Sequence, residues 1–291
     1  MKIIVCVKQV PDTSGKVAVN PDGTLNRASM AAITNPDDLN AVEAALVLKE
    51  QTGAEVVVVC MGPPPAEGML RECLARGCDR AVLVSGREFG GSDTYATSQI
   101  LAAAINKIGV DAEDIVMCGR QAIDGDPAQV GPQVAEKLGL NQITYTEEIL
   151  SLEDGKITVK RHIDGGVETV ESSLPCVLTV NGSAAPCRPR NVKRVMKFKR
   201  CLAPMELPQG TDYADLPYAS EYEKKPYLKI GQLTCADINA DLQQCGLAGS
   251  PTKVKNVENI VFKAKESKVL TGSDEDINAL VQELLASHTI G

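Results

Sequence analysis

Short apolar runs alternate with segments of helical periodicity up to residue 138, and this alternation constrains the fold more than any other feature of the chain. The apolar runs, each of strand length, are 2–7, 55–60, 80–84 and 114–118. The predicted helices run from the cap Asn35 to Gly53, over 65–76, over 92–109 and over 127–138. Continuously apolar strands that alternate with helices are typical of a parallel sheet covered on both faces. We therefore predict an α/β fold, namely a Rossmann-like, doubly wound, mainly parallel sheet.

The pattern changes beyond residue 150. Two short strands, 157–161 and 167–170, flank the turn signal Asp164-Gly165-Gly166, and 175–180 is predicted to be a further buried strand. Residues 203–228 have no clear period and are predicted to be extended or loop, whereas 273–290 has the pattern of a helix capped by Ser273 or Asp274. We divide the chain into an α/β domain over 1–200, with a basic loop over 187–203, and an extended segment with a C-terminal helical arm over 201–291.

Composition excludes several classes of function. The net charge of −8 disfavours binding to nucleic acid, which requires a cationic surface. No apolar run approaches the ~20 residues that span a bilayer, so membrane insertion is not expected. The apolar N-terminus is too short for a signal peptide and lacks a small-residue cleavage site, so we interpret it as the first strand and predict a cytoplasmic protein.

The ten cysteines are scattered and form no C-x-x-C pair, and the chain has only two histidines. Cys6, Cys60, Cys118 and Cys176 lie in apolar runs, where a reduced thiol behaves as a small hydrophobic side chain. A zinc or iron–sulfur site would need a closer ligand spacing, so no metal site is predicted. No pattern of a nucleophile with its base is visible either, so no catalytic side chain is assigned.

The segment 119–133 has the pattern of a nucleotide-binding loop. It follows the apolar run 114–118 and precedes helical periodicity, and Asp126-Pro127 has the pattern of an N-cap followed by proline at the first helical position. Nucleotides and their phosphates bind at the carboxyl ends of such strands, near helix N-termini. Because carboxylates repel phosphate, Asp124 and Asp126 suit ribose hydroxyls or backbone N–H groups, which leaves phosphates to amides and to the side chains of Gln129 and Arg120. The loop is neither a Walker A nor a G-x-G-x-x-G sequence, so a plain β–α connection stays an alternative.

Other loops lie at the same edge of the predicted sheet. The loop 7–12 follows the first strand, Met61-Gly62 follows the second, and Asn35 stands at the start of a helix. A different feature is the stretch 188–200, which is dense in lysine and arginine with Val192, Val195, Met196 and Phe198 interspersed. A solvated face does not need these apolar residues, so a docking surface is the favoured interpretation.

Taken jointly, these features resemble the β subunit of electron transfer flavoproteins. The resemblance covers about residues 1–200, is specific only as a combination, and rests on the following segments: Cys6-Val-Lys-Gln-Val10, Asn35-Pro36, Met61-Gly-Pro63, Gly77-Cys-Asp-Arg80, Gly119-Arg-Gln-Ala-Ile-Asp124, Val159-Lys-Arg-His-Ile-Asp-Gly-Gly-Val-Glu-Thr-Val170 and Pro175-Cys-Val-Leu-Thr179. It implies a subunit that pairs with a larger, FAD-bearing α subunit, on which the C-terminal arm is expected to pack, and that moves electrons between flavin dehydrogenases and other carriers.

The occupant of the crevice differs between branches of that family. One branch holds AMP as a structural ligand, and the electron-bifurcating branch holds a second FAD that accepts hydride from NADH. Arg120 and Gly125 resemble the bifurcating branch, so FAD is favoured and AMP stays the alternative. The family's nucleotide contacts correspond here to residues of the strand-end loops: Cys6, Val7, Lys8, Asn35, Asp38, Met61, Gly62, Gly119, Arg120, Gln121, Ala122, Ile123, Asp124, Gly125, Asp126, Pro127, Ala128, Gln129 and Val130.

The basic stretch corresponds to the family's loop that anchors a partner dehydrogenase. The docking residues implied are Arg188, Arg190, Val192, Lys193, Arg194, Val195, Met196 and Lys197, with Val192 at the position of an anchoring leucine. The usual Pro-Arg-Tyr entry is replaced by Cys187-Arg-Pro189, so the partner is expected to be a flavin dehydrogenase of 2-hydroxy acids such as lactate, or one of the acyl-CoA type. Ferredoxin or flavodoxin is the implied low-potential carrier. A stand-alone nucleotide-binding stress protein stays open as a further class.

Overall fold

The computed structural model describes residues 1–12, 32–252 and 267–290. Its strands are β1 (Lys2–Cys6), β2 (Gln9–Pro11), β3 (Ala32–Thr34), β4 (Glu55–Met61), β5 (Arg80–Val84), β6 (Ile115–Gly119), β7 (Asn141–Glu153), β8 (Lys156–Ile163), β9 (Gly166–Ser173), β10 (Cys176–Val180) and β11 (Gly231–Leu233). Its helices are α1 (Pro36–Thr52), α2 (Glu67–Arg76), α3 (Thr94–Ile108), α4 (Val130–Leu138), α5 (Val192–Lys197), α6 (Ala219–Lys224), α7 (Gly246–Gly249) and α8 (Asp274–Ala286).

Nine strands form one sheet in the part of the chain that the structure describes, in the order β11-β5-β4-β1-β6-β10-β7-β8-β9. The pairs from β11 to β7 are parallel, and β7-β8-β9 is an antiparallel extension. From β1 the chain first builds β4 and β5 on one side and then returns to place β6 on the other. The order therefore reverses between β1 and β6, and such a switch point opens a crevice outside the carboxyl ends of the strands.

Helices cover both faces of the sheet, as the alternation predicts. Ile3 and Val5 pack with α1 and α2 on one face, and Ile4 and Cys6 pack with α3 and α4 on the other. The central strand β4 is fully buried over 56–59, which explains its uninterrupted run of valines. All four predicted strand runs and the predicted doubly wound α/β fold are confirmed.

The start of α4 differs from the sequence prediction. The helix begins at Val130, so Asp126 is not its N-cap and Pro127 is not its first residue. Asp126 and Ala128 have φ values of 45° and 48°, which lie in the left-handed region, and the Asp126 N–H donates to the Ala122 carbonyl at 2.9 Å. The segment thus forms a turn that is incompatible with a helix, although Asp-Pro has the local chemistry of a helix start.

The second half of the chain contains one confirmed hairpin and two strands that the sequence did not reveal, β7 and the short β11. Strands β8 and β9 pair antiparallel around the predicted Asp164-Gly165-Gly166 turn, and β10 is the predicted buried strand. Strand β7 was missed because its thirteen residues mix threonine and glutamate with few buried positions. Its stability comes from pairing with β8 and β10 on its two edges, which no local pattern reveals.

The predicted extended segment after residue 200 packs on the α/β domain of its own chain. Strand β11 extends the sheet beside β5, and Cys201 and Ile230 belong to the main core. The Tyr213 hydroxyl donates to the Leu202 carbonyl at 2.9 Å, and the Tyr222 hydroxyl donates to the Arg200 carbonyl at 2.7 Å. Side chains and a short strand therefore secure this segment, which has little regular structure.

The predicted C-terminal helix is present as α8. Ser273 caps it by accepting a hydrogen bond from the Asp276 N–H at 3.2 Å, as expected. Its apolar residues Ile277, Leu280, Val281 and Leu285 are 40–50% exposed. Their packing against an α subunit stays a prediction. Among the described helices, none combines the length and the apolar character needed to span a lipid bilayer.

Candidate functional site

A cavity of about 870 Å³ opens at the carboxyl ends of β1, β4, β5 and β6, at the switch point of the sheet. Its wall is formed by the loops that follow these four strands and by the first residues of α4. Small-molecule sites have volumes of roughly 300–1,000 Å³, so this cavity is at the large end of the range. Position and size both identify it as the candidate binding site.

Most of the sequence-predicted site residues line this cavity, namely Cys6, Val7, Lys8, Asp38, Met61, Gly62, Gly119, Arg120, Gln121, Ala122, Pro127, Ala128, Gln129 and Val130. The others lie next to the cavity without lining it, namely Asn35, Ile123, Asp124, Gly125 and Asp126. The first group forms the wall, and the second group holds the loop in place.

Asn35 positions the loop after β6. Its side chain is fully buried; Nδ2 donates to the Gln121 carbonyl at 2.8 Å, and Oδ1 accepts from the Ile123 N–H at 3.1 Å. Asn35 does occupy the N-cap position of α1, but its side chain makes no capping bond. Because both ends of the amide are used by the loop, Asn35 fixes the wall of the cavity instead of capping the helix.

Asp38 joins the loops after β1 and β6 on the cavity floor. Its Oδ2 accepts from the Lys8 N–H at 2.8 Å, and its Oδ1 accepts from the Gly119 N–H at 3.1 Å. Burial away from water raises the pKa of Asp38 to about 7, although the hydrogen bonds from Asn35, Lys8 and Gly119 act in the opposite direction. Asp38 therefore titrates near neutral pH at the base of the site.

The stability of the chain is accordingly expected to depend on pH through Asp38. The ordinary pKa is 3.8 and the folded one is about 7, so the folded state binds the proton more tightly. The stabilisation is therefore fully present below pH 4 and is lost as the pH rises through 7. Between pH 5 and 7, the free energy of unfolding of wild type should fall by about 2 kcal/mol relative to that of Asp38→Asn, as measured by urea unfolding.

A matched control for this titration is Asp111→Asn. Asp111 has a side chain 84% exposed, and its substitution removes one carboxylate without changing the cavity floor. Its unfolding free energy should follow wild type at each pH. Parallel pH profiles for wild type and Asp38→Asn would contradict the assignment.

The two aspartates that suit phosphate poorly are both engaged by protein groups. Both carboxylate oxygens of Asp124 accept from the Lys8 Nζ at 2.8 Å, and Asp126 accepts from the Gln121 Nε2 at 2.9 Å. Neither lines the cavity. Their role is to brace the turn, so their charge does not oppose an anionic ligand directly.

Groups that can bind phosphate do face the cavity. No side chain caps the first turn of α4, so the N–H groups of Val130 and Gly131, two residues of the cavity lining, receive no capping hydrogen bond. Arg120 also lines the cavity, and its Nε lies 3.3 Å from the Asp37 carboxylate, which holds the guanidinium in place. Gln129 accepts from the Thr94 hydroxyl at 2.9 Å and so joins this wall to the start of α3.

One part of the wall was missed by the sequence analysis. The loop after β5 contributes its lining residues, among them Ser85, Arg87, Phe89, Ser92, Asp93 and Thr94, and Met205 comes from the segment after residue 200. The loop could have been found, because it follows a correctly predicted strand of the same parallel sheet. Met205 could not, since its approach depends on the folding of a segment without sequence periodicity.

The described residues show no grouping of His, Cys, Asp and Glu that could hold a metal ion. All ten cysteines are free, and eight of them are buried. Burial raises the pKa of Cys60 to about 12, so this thiol is neutral and unreactive at physiological pH.

The basic stretch forms a second feature of the surface. Asn191 caps the short helix α5 by accepting from the Arg194 N–H, and Val192, Val195 and Met196 are 77%, 43% and 62% exposed. Phe198, in contrast, is only 4% exposed and packs edge-on against Tyr227. The prediction that Phe198 belongs to a docking surface is therefore wrong, because it anchors α5 to the core.

A large cavity at the switch point of a doubly wound sheet defines an α/β protein with a candidate small-molecule site at that edge. Residues 22–201 match the model of the electron transfer flavoprotein domain, and the chain belongs to the electron transfer flavoprotein family.

Full-length relatives support this membership. The chain is 48% identical to acryloyl-CoA reductase electron transfer subunit gamma of Anaerotignum propionicum and 42% identical to caffeyl-CoA reductase-Etf complex subunit CarD of Acetobacterium woodii, with all of each chain covered. It is 41% identical to electron transfer flavoprotein subunit beta of Clostridium acetobutylicum, over 98% of this chain and 95% of the relative. The chain is thus similar to β subunits and to subunits of larger reductase complexes.

Proposed function

We propose that this chain is the β subunit of an electron-bifurcating flavoprotein and binds FAD in the cavity at the switch point. The flavin would exchange hydride with NAD(H) and divide electrons between a partner flavin dehydrogenase and a low-potential carrier, ferredoxin or flavodoxin. A second FAD would be held by an α subunit that pairs with this chain. The complex would act in the cytoplasm.

The volume of the cavity is the observation that carries the choice of FAD. At about 870 Å³ the cavity is near the top of the range for small-molecule sites, whereas AMP is one of the smaller nucleotides and would leave much of it unfilled. The lining extends from the loop after β1 to Arg87 and Phe89 after β5. Gly125 lies outside the lining, so the argument depends on volume and not on that residue.

The residues of the cavity would bind and orient the cofactor. The N–H groups at the start of α4 and the Arg120 guanidinium suit a pyrophosphate. Asp38 and Asn35 hold the loops after β1 and β6 at a fixed distance. The flavin supplies the redox chemistry, so the protein needs no acid–base residue there.

The exposed face of α5 is the proposed docking surface for the partner dehydrogenase. It combines Val192, Val195 and Met196 with the cations Arg188, Arg190, Lys193, Arg194 and Lys197. The names of the relatives at 48% and 42% identity favour an enoyl-CoA reductase or related acyl-CoA dehydrogenase as the partner. A dehydrogenase of 2-hydroxy acids such as lactate is the second candidate, since the loop departs from the family's usual entry sequence.

Purification of the native complex tests the proposal. Released cofactors should amount to two FAD per αβ pair, and mass spectrometry of the co-purified proteins should identify one flavin dehydrogenase. One FAD and one AMP per pair would instead support the alternative, a β subunit that holds AMP as a structural ligand. Recovery of the chain as a monomer in the presence of an α subunit would argue for a stand-alone nucleotide-binding protein and against both.

A further inference from the structure

A second cavity, of about 800 Å³, lies between the C-terminal ends of α1 and α2 and the docking helix α5. It shares no lining residue with the cavity at the switch point. Its charged lining residues are Lys49, Arg76, Asp79, Arg188, Lys193, Arg194 and Lys197. Six cations and one carboxylate therefore face one cavity in a chain whose net charge is −8.

Two of these cations are neutralised by neighbouring carboxylates. Lys49 pairs with Asp79 and also donates to the Gly77 carbonyl at 3.0 Å. Arg188 is held by Glu43 and Glu50. The remaining four, Arg76, Lys193, Arg194 and Lys197, form no ion pair within the described part of the chain. Four cations that no carboxylate neutralises thus line this one cavity.

Arg76 has hydrogen-bond donors that no protein group satisfies. Its Nε and Nη1 are buried and have no acceptor among the described residues. The Arg194 Nη1 donates to the Arg76 carbonyl at 2.8 Å and passes so close to Gly77 that a Cβ there would lie 2.2 Å from it. Buried N–H groups without an acceptor are costly, so the half-buried Arg76 side chain is expected to turn toward an anion that enters the cavity it lines.

The charge and the donor geometry select the class of ligand. Four unpaired cations match a multiply charged oxyanion better than a single carboxylate, and planar guanidinium groups bind phosphate oxygens in a bidentate manner. The cavity is also much larger than one phosphate ion. We propose that it binds the phosphate group of a small phosphorylated molecule, with Arg76 and Arg194 as the main contacts and Lys193 and Lys197 at the rim.

Thermal unfolding of the full chain with its bound cofactors tests this site, with inorganic phosphate as the probe. Phosphate should raise the Tm saturably, by roughly 3–6 °C at a hundredfold excess over its Kd, beyond any effect of sodium chloride at equal ionic strength. In Arg76→Met the apparent phosphate affinity should fall about tenfold or more. Without phosphate this variant should be at least as stable as wild type, because two buried N–H groups that lack an acceptor have been removed.

Two further variants complete the experiment. Arg194→Gln should weaken phosphate binding without a folding defect, since Arg194 is on the exposed helix. Arg80→Met is the control, because Arg80 lies outside the cavity and its side chain is 45% exposed beside Glu55. Its response to phosphate should equal that of wild type.

Cofactor content is measured in each sample, which separates this inference from the identity of the nucleotide. Phosphate bound at the switch-point cavity would stabilise wild type and Arg76→Met equally, and that result would overturn the proposal. A response to phosphate no larger than that to chloride would overturn it as well.

Discussion

Substitution of Gly119 by alanine is expected to abolish binding of the proposed cofactor in the switch-point cavity and to lower the free energy of unfolding by about 3 kcal/mol. A Cβ at this position would lie 2.4 Å from the Asp38 Oδ1 and 2.6 Å from the backbone of Asp37 and Asp38. Because backbone atoms cannot turn aside, the start of α1 or the end of β6 would have to move. The hydrogen bond between the Gly119 N–H and Asp38 would be lost with that movement. Cofactor-to-protein ratio and urea unfolding are the measurements.

The matched control is the same substitution in the same loop. At Gly125 a Cβ would meet only the Pro127 Cδ, at 3.8 Å, and φ is not in the left-handed region. Gly125→Ala should therefore keep its cofactor and change stability by less than about 1 kcal/mol. If Gly119→Ala and Gly125→Ala had equal cofactor-to-protein ratios and equal free energies of unfolding, the close approach between β6 and α1 would not be what holds the cavity together.

Replacement of Arg188 by methionine is expected to lower the free energy of unfolding by about 3 kcal/mol and to release the basic loop from the domain. Arg188 donates from Nε and Nη2 to Glu43, whose side chain is only 10% exposed. Methionine keeps the aliphatic part of the side chain but leaves a buried carboxylate that has lost its charged partner and retains a hydrogen bond from the backbone N–H of residue 188. Breaking one side of a buried ion pair is costly for that reason. Urea unfolding gives the stability, and limited proteolysis after residue 187 reports the release of the loop.

Arg190→Met is the control for this effect. Arg190 pairs with Glu72 at 3.0 Å, but their side chains are 54% and 43% exposed, so the pair contributes less than about 1 kcal/mol. The basic loop of Arg190→Met should resist the protease as well as the same loop of wild type does. If Arg188→Met were as stable as Arg190→Met, the Glu43 contact would not be what attaches the loop.

The sequence predicts the parallel strands well because burial on both faces requires a continuous run of apolar residues. The valines at 56–59 are uninterrupted since helices cover β4 on each side. Strand β7 carries no such run, because buried and exposed residues alternate irregularly along its length, and it is stabilised by pairing with β8 and β10 and by a few core side chains such as Ile143. The same limit explains the start of α4, where Asp126-Pro127 has good capping chemistry but the chain adopts a left-handed turn.

For the candidate site, too, the sequence predicts the position of some residues but not the contacts of others. Residues at the carboxyl end of a strand, such as Cys6, Met61 and Gly119, could be placed at one edge of the sheet from the order of elements alone. The residues that fix the loops could not be assigned their contacts, since Asn35 meets a loop 86 residues away along the chain. Their partners are chosen by folding and leave no periodic pattern in the sequence.

By itself, the sequence determined the doubly wound sheet, the edge that carries the candidate site and the resemblance to electron transfer flavoproteins, because periodicity and local motifs encode these directly. Only the tertiary structure decided how large the cavity is, how Asp38 acquires a pKa of about 7, and where Arg76 is left without an acceptor. Each of these depends on burial and on contacts between distant segments. Such properties arise only when the chain has folded and packed, so they cannot be read from the order of its residues.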